Sequence, residues 1–167
     1  GPQPPSDDAP WRQALNEFKD REMFRIDMRH ILGHTDEFWE FSEELTGLAE
    51  VVVSAAYHLC HEDLREVYGD PRLENGELSD MAICALGKSG GRELGFASDI
   101  EMMFIYAGNG QTTGPQVIPT SEFYERLVQN FVSAIYAKRE GIFEIDLRLR
   151  PYGKAGSMAV SMEAFRR

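Results

Sequence analysis

The chain has 167 residues, 43% of them hydrophobic, which is enough for one compact domain with its own core. Its formal net charge of −11 argues against a general nucleic-acid binder, because such proteins use a basic surface to displace phosphate counterions. No secretion signal and no apolar run of about 20 residues occurs, so we expect a cytoplasmic protein without a membrane contact.

The two cysteines, Cys60 and Cys84, are too few for a disulfide framework. Cys84 lies in an apolar run, and we expect it to be a buried free thiol. Residues 1–10 are rich in proline and predict a flexible leader or the remnant of a tag. The last residues before Arg167 are typical of a helix that is beginning, so we expect a piece of a longer protein.

Residues 11–68 predict a helical segment. Its first helix is expected to begin near Pro10 with Asp8 as N-cap and to end near Leu32. The second is expected to begin after Thr35 or Asp36 and to end near residue 67. Its apolar stripe alternates spacings of three and four residues and consists of Phe38, Phe41, Leu45, Leu48, Val52, Ala55 and Leu59.

A polar, turn-rich stretch at 69–79 separates this segment from a predicted catalytic core at 80–167. Strands are expected at 81–86 and 98–106, followed by a loop over 107–119. Thr120 is expected to cap a helix that ends before Gly141. The last strands predicted are 142–150, which alternates apolar and charged side chains, and a short one at 157–161.

Two acids one residue apart, Asp99 and Glu101, lie at the start of the second of these strands. Side chains alternate along a strand, so both carboxylates point to one face. The two carboxylates repel each other, and a bound divalent cation is a common way to stabilise such a pair. Asp146, with Arg148 and Arg150 beyond it, lies on a later strand and can complete a set of three acids.

Three acids on neighbouring strands can hold two Mg²⁺ ions for an in-line displacement at phosphorus. Asp99 and Glu101 would bridge both ions, and Asp146 would hold the ion that activates the attacking group. Arg148 and Arg150 could neutralise phosphate charge or fix the acids in place. Taken alone, the charges around Asp146 are also typical of an exposed ladder of ion pairs on a strand.

A glycine-rich turn precedes the acid pair and reads GKSGG from Gly87 to Gly91. Glycine lets the backbone approach a triphosphate closely, and Lys88 and Ser89 could add contacts. The turn matches neither the GxxxxGK[ST] loop nor the GxGxxG fingerprint, and a glycine-rich turn is commonly only a turn. The order of turn, acid pair and later acid is what indicates phosphate chemistry.

That order resembles the polymerase-β-like nucleotidyltransferase superfamily, in which a Gly-Gly or Gly-Ser turn precedes an Asp-x-Asp or Asp-x-Glu pair. Residues 87–106, GKSGGRELGFASDIEMMFIY, are similar to a segment of the bifunctional glutamine synthetase adenylyltransferase/adenylyl-removing enzymes. Residues 144–165, EIDLRLRPYGKAGSMAVSMEAF, are similar to a later segment of that family. The resemblance covers roughly residues 14 to 165.

The resemblance implies an α+β fold, with an N-terminal helical segment followed by a small mixed sheet flanked by helices. It implies that Asp99, Glu101 and Asp146 bind metal and catalyse. It implies Mg²⁺ in a two-metal site, ATP or ADP and phosphate as substrates, glutamine synthetase as protein substrate and a PII signal protein as regulator. The candidates for nucleotide binding are Gly87, Lys88, Ser89, Gly90, Gly91, Ser98, Arg148 and Arg150.

Two residues depart from the family pattern. Ser89 stands where the family usually has Leu, and Glu101 where it usually has its second Asp. Two alternatives therefore stay open beside an active enzyme of this family. One is a degenerate module that binds a nucleotide or partner without turnover, and the other is a nucleotidyltransferase with a different acceptor. The motifs do not separate the AMP-adding from the AMP-removing half.

Overall fold

The computed structural model describes residues 9–35, 37–137, 143–151, 153 and 156–166. The predicted α+β class is confirmed, with helices first and a small mixed sheet flanked by helices after them. The boundary drawn between a helical segment and a catalytic core stays a prediction. In chain order the elements are α1 (Pro10–Ile31), α2 (Phe38–Tyr68), β1 (Pro71–Leu73), β2 (Met81–Ala85), α3 (Gly87–Gly90), β3 (Ile100–Tyr106), β4 (Gly110–Thr112), α4 (Thr120–Ala134), β5 (Ile145–Asp146), β6 (Ala159–Ser161) and α5 (Met162–Phe165).

The strand β3 is the centre of the main sheet. It pairs antiparallel with β2 and parallel with both β5 and β6. The short strands β5 and β6 share the edge of β3 opposite β2, with β5 at its beginning and β6 at its end. The acid pair lies where β3 begins, so β5 is the strand that can bring another residue to it.

A second, two-stranded sheet corrects the prediction that 69–79 and 107–119 hold only turns and loops. In it, β1 pairs antiparallel with β4, from Pro71 opposite Thr112 to Leu73 opposite Gly110. Three residues are too few to show an alternating pattern. The pairing is also non-local, so neither segment carries a local signal for it.

The core lies between one face of β3 and the helices α2 and α4. Phe104 of β3 meets Phe131 of α4 edge to face, with ring centroids 5.3 Å apart. The stripe predicted for α2 is right from Phe41 to Val52 and wrong at Phe38 and Leu59, whose side chains are exposed. A strict 3.5-residue period drifts around a helix of 3.6 residues per turn. The residues of α2 buried after Val52 are therefore Ala56, Cys60, Leu64, Val67 and Tyr68.

The predicted helix caps are wrong where the structure describes them. The N-caps of α2 and α4 are Glu37 and Pro119, and neither makes a side-chain cap hydrogen bond. Thr35 instead pairs with a ring nitrogen of His30, and Thr120 donates to a loop carbonyl. These tertiary partners compete for the hydroxyls that a local reading assigns to caps. Ala9 is the N-cap of α1, and the proposed caps Asp8 and Asp36 lie outside the described residues, as does Gly141.

Polar residues on one face of α1 close the C-terminal end of α4. Arg12, Asn16 and Lys19 follow one another at helical spacing and are almost fully buried. The Asn16 amide donates to the carbonyl of Ala134, and its oxygen accepts the N–H of Tyr136, both at 2.8 Å. The Lys19 ammonium donates to the carbonyl of Tyr136. This polar seam satisfies backbone groups that a helix end leaves without partners.

Both cysteines are free thiols, but their burial differs from the prediction. Cys60 is the buried one, and burial raises the pKa of its thiol to about 12. Cys84 is only half-buried, because β2 lies at the edge of the sheet. Across the described residues, no helix is both long and apolar enough to cross a bilayer.

Candidate active site

The structure brings together the three acids singled out in the sequence. The parallel register of β3 and β5 sets Glu101 directly beside Asp146. Asp99 comes one residue before β3 and two before Glu101, so its side chain shares their face. The next residue, Ile100, donates its N–H to the carbonyl of Glu144 at 2.7 Å and joins the start of β3 to the residue before β5. The three carboxylates therefore form an acidic cluster at one end of the sheet.

The long strand predicted over 142–150 is wrong, because β5 consists of Ile145 and Asp146 alone. The Asp146 carboxylate accepts the backbone N–H of Arg148 at 2.8 Å, and this local bond turns the chain out of the extended conformation. Leu149, expected on the buried face, is exposed as a result. Residue 142, the first of the predicted strand, lies outside the described residues.

The turn after β5 carries the side chain of Arg148 back over the acids. Its Nε donates to Asp146 Oδ2 at 2.7 Å, and its Nη2 lies 2.5 Å from the same oxygen. The same Nη2 lies 3.4 Å from Asp99 Oδ2. In a continuous strand, the side chain of Arg148 would lie two residues beyond Asp146 on the same face. The alternating sequence pattern therefore does not predict that Arg148 reaches back to Asp146 and Asp99.

The guanidinium of Arg148 is the main influence on the pKa values in the acidic cluster. The hydrogen bond from the Arg148 side chain lowers the pKa of Asp146 below its ordinary value, against the opposing effect of burial. Hydrogen bonding to Asp146 raises the pKa of Arg148, and the charges of Asp99 and Glu101 raise it further. All three acids thus act on one guanidinium.

Gly87 makes room for the longer acid at position 101. Its φ of +52° is in the left-handed region, which glycine adopts without strain. A Cβ on Gly87 would overlap the Glu101 carboxylate. The glutamate that departs from the family pattern is therefore seated against a residue that lacks a side chain.

The turn from Gly87 to Gly91 is a single turn of helix, α3, between β2 and the loop before β3. The first N–H groups of a helix have no acceptor within it, and here they belong to Gly87, Lys88 and Ser89. Lys88 is exposed, and a Cβ on Gly90 would come within 2.7 Å of the Ala85 carbonyl. Backbone packing therefore requires a glycine at position 90 as well.

Three other candidate side chains point elsewhere. Ser89 is buried and lines a cavity of about 420 Å³ between α2 and the sheet, on the face opposite the acids. The Ser98 hydroxyl accepts the N–H of Gly95 at 2.9 Å and shapes the loop before Asp99. Arg150 donates to two carbonyls of the turn that follows β5, those of Leu147 and Gly156. Their role in nucleotide binding stays a prediction.

The chemistry of the acidic cluster suits a hard divalent cation, because carboxylate oxygens are the ligands that Mg²⁺ prefers. A cationic group already lies among these oxygens, namely the guanidinium of Arg148. With Arg148 in this position, no three Asp, Glu, His or Cys side chains among the described residues lie close enough together to surround one ion, so their side chains would have to move closer to bind one. The residues that would hold Mg²⁺ are Asp99, Glu101 and Asp146.

A model of the family described as glutamate-ammonia ligase adenylyltransferase matches residues 4–167 of the chain. The chain belongs to this family. The bifunctional glutamine synthetase adenylyltransferase/adenylyl-removing enzyme of Aromatoleum aromaticum is 35% identical over 94% of the chain. The enzymes of the same name from Burkholderia mallei and Bordetella pertussis are 35% and 36% identical over 97% and 92% of it.

The chain spans less than a fifth of the length of these relatives, namely 17%, 18% and 16%. The match includes the turn at Gly87, the acid pair and Asp146, because it covers nearly the whole chain.

Proposed function

We propose that this chain is a Mg²⁺-dependent nucleotidyltransferase domain that acts on glutamine synthetase. It would add AMP from ATP to a tyrosine hydroxyl of that enzyme, or remove the AMP by phosphorolysis. The observation that carries the proposal is the in-register pairing of Glu101 with Asp146, with Asp99 two residues away on the same face. Membership of the adenylyltransferase family supports the nucleotide and the protein substrate.

In the adding direction, the tyrosine hydroxyl gives up its proton to water, and its oxygen attacks the α-phosphorus of ATP. The bond from phosphorus to the bridging oxygen breaks, and pyrophosphate leaves. In the removing direction, a phosphate oxygen attacks the phosphorus of the bound AMP, the tyrosine oxygen leaves and takes up a proton, and ADP is released. Mg²⁺, when bound, supplies positive charge for both the attacking and the leaving oxygens.

The residues of this chain divide the work between them. Asp99 and Glu101 would hold both ions, and Asp146 the ion next to the attacking oxygen. The amides of the first turn of α3 would bind phosphate oxygens, since backbone N–H groups at such turns favour anions. Lys88 is exposed beside this turn and would add positive charge.

The partners of the proposed reaction are glutamine synthetase as substrate and, for the longer protein, a PII signal protein as regulator. The relatives bear glutamine synthetase in their names, which supports the first of these. The adding direction consumes ATP and the removing direction consumes phosphate, and the cytoplasm contains both. This reasoning supports the cytoplasmic location expected from the sequence.

Calorimetric titration with ATP tests the nucleotide and the metal together. We expect binding heat in the presence of MgCl₂ and its loss in Asp99→Ala, which removes one of the three acids. Glu74→Ala is the matched control, because it removes an exposed carboxylate close to the β1–β4 pair. Absence of heat for the wild-type chain, with and without Mg²⁺, would refute the proposal.

Intact-mass spectrometry tests the transfer. The chain is incubated with MgCl₂, ATP and purified glutamine synthetase, and in parallel with AMP-modified glutamine synthetase and phosphate. We expect a gain of one AMP per modified subunit in the first mixture or its loss in the second. No mass change in either, with ATP binding intact, would favour a binding module without turnover.

A further inference from the structure

The two side chains of the contact between Arg148 and Asp146 differ in their exposure to solvent. The Asp146 side chain is only 9% exposed, whereas that of Arg148 is 65% exposed. Asp146 is held by β5 and by its bond to the backbone N–H of Arg148. The acid end of the contact is therefore fixed by the fold, while the guanidinium end lies in solvent on a long side chain.

One nitrogen of Arg148 lies where a bridging cation would be expected. Its Nη2 is 2.5 Å from Asp146 Oδ2 and 3.4 Å from Asp99 Oδ2. Three carboxylates and one guanidinium leave a local charge of minus three plus one, which is minus two. A second or better cation is therefore favoured at the cluster, and it would compete with Arg148 for the same oxygens.

We propose that Arg148 is an internal cation that holds the acids together until a divalent cation displaces it, and that the released guanidinium then binds a phosphate of the nucleotide. This inference rests on the proposed function. It gives Arg148 two successive contacts, first with the acids and then with a phosphate. The guanidinium end of the pair lies in solvent, which screens its charge and can hydrate it, so the exchange requires less energy than the release of a buried cation. Guanidinium groups bind phosphate as readily as carboxylate, through the same planar pair of donors.

Titration with MnCl₂ in the absence of nucleotide tests the competition. We expect Arg148→Gln to bind Mn²⁺ about two- to fivefold more tightly than the wild-type chain, because it removes a competing cation whose charge is screened by solvent. Arg92→Gln is the control for a general loss of positive charge. Arg92 follows the same glycine-rich turn, but its guanidinium pairs with Glu50 on α2 at 2.6 Å. Unchanged or weaker Mn²⁺ binding in Arg148→Gln, or equal tightening in Arg92→Gln, would overturn the inference.

The Nε–H resonance of Arg148 in ¹H–¹⁵N spectra gives a second readout, assigned by its absence in Arg148→Gln. We expect this signal to move when MgCl₂ saturates the wild-type chain, because the bond from Nε to Asp146 is lost. Addition of a non-hydrolysable ATP analogue should then move it again. A signal that stays in place through saturation with Mg²⁺ would show that Arg148 keeps its contact, contrary to the inference.

The two proposals fail in distinguishable ways. If ATP binding depends on Mg²⁺ and on Asp99 but Arg148→Gln binds Mn²⁺ no more tightly, only the displacement is wrong. If Mn²⁺ displaces Arg148 as expected but no AMP is transferred in either direction, only the proposed reaction is wrong. If neither the wild-type chain nor Arg148→Gln binds Mn²⁺ or Mg²⁺, both are wrong.

Discussion

The polar seam of α1 and the acidic cluster of the sheet differ in the burial and the pairing of their polar and charged groups. In the seam, Asn16 and Lys19 are buried and bonded to backbone groups at the end of α4. In the acidic cluster, Asp99 and Glu101 are half-exposed, and three negative groups share the exposed Arg148. The seam pairs Asn16 and Lys19 with backbone groups, whereas the cluster keeps an excess of negative charge.

The difference separates what holds the fold from what is available for chemistry. A buried, satisfied polar group is costly to remove, because its partners lose their hydrogen bonds inside the protein. An exposed acid among other acids adds little stability or reduces it. Substitutions in the seam and in the core beside it should therefore lower stability, and substitutions in the acidic cluster should change ligand binding.

The largest expected effect is in the apolar core beneath the helices. Phe131 is fully buried in α4 against Phe104, and Phe131→Ala should lower the free energy of unfolding by about 3–5 kcal/mol. Urea denaturation measures the change. Phe24→Ala is the control, because that ring is 67% exposed, and its effect should stay within about 0.5 kcal/mol. Equal effects of the two variants would contradict this placement of the core.

The seam itself should come next. Asn16→Ala removes the bonds to Ala134 and Tyr136 and leaves buried backbone groups without partners, at a cost of about 1–3 kcal/mol. Gln13→Ala, on the exposed side of α1, removes only a bond to Glu17 and should be nearly neutral. The same urea experiment compares them, and a loss in Asn16→Ala no greater than in Gln13→Ala would show that the seam adds no stability.

The packing of Gly87 against the acidic cluster can be probed by adding a side chain there. Gly87→Ala should cost about 1–2 kcal/mol for the left-handed backbone and should also displace the Glu101 carboxylate that occupies the Cβ position. Gly76→Ala has the same kind of backbone strain, but nothing lies within 4 Å of its Cβ. We expect both variants to lose stability and only Gly87→Ala to lose Mg²⁺-dependent ATP binding. Loss of binding in Gly76→Ala as well would point to a global effect.

The helix α2, which contains His61, and the acidic cluster should respond to acid in different pH ranges. Burial lowers the pKa of His61 from 6.5, so neutral His61 supports folding and this contribution is lost as pH falls below about 6.5. The Arg148 contact lowers the pKa of Asp146 from 3.8, so its contribution is lost only below about pH 4. Urea midpoints across pH should show the first loss removed in His61→Gln and the second in Asp146→Asn. A first loss that persists in His61→Gln would contradict the assignment.

The smallest change in stability is expected within the acidic cluster. Asp99→Asn removes one like charge from a half-exposed position, and the free energy of unfolding should stay within about 0.5 kcal/mol or rise. The same variant should lose Mg²⁺-dependent ATP binding. A loss of stability as large as that in Asn16→Ala would remove the contrast between the two regions.

Sequence reasoning succeeded where local pattern decides structure. The long helix α2 follows from its hydrophobic periodicity, α1 from its proline start, and β3 from its apolar run. The acids were found because they lie at a strand start. It failed where the deciding contact is distant in the chain, as in the pairing of β1 with β4. It also failed at Thr120, whose hydroxyl bonds to a loop carbonyl instead of capping its helix.

At the acidic cluster, the sequence indicated which residues meet but gave no indication of the turn after Asp146. The alternation of Leu147, Arg148 and Leu149 predicts a continuous strand, whereas one bond from Asp146 to the Arg148 backbone ends it. The buried face of α1 was missed because Arg12, Asn16 and Lys19 are polar. Their regular spacing beside Leu15 was the available signal.

The seam between α1 and α4 also has a consequence for the order of folding. Asn16 meets partners that follow it by 118 and 120 positions, so almost the whole chain must be present before its bonds can form. Closing so long a loop has an entropic cost that grows with its length. Local helices and the hairpin-like pair of β2 and β3 can form earlier, because their contacts are closer in the chain. The bonds of the seam are thus expected to be among the last to form, even though α1 can pack earlier on α2, its neighbour in the chain.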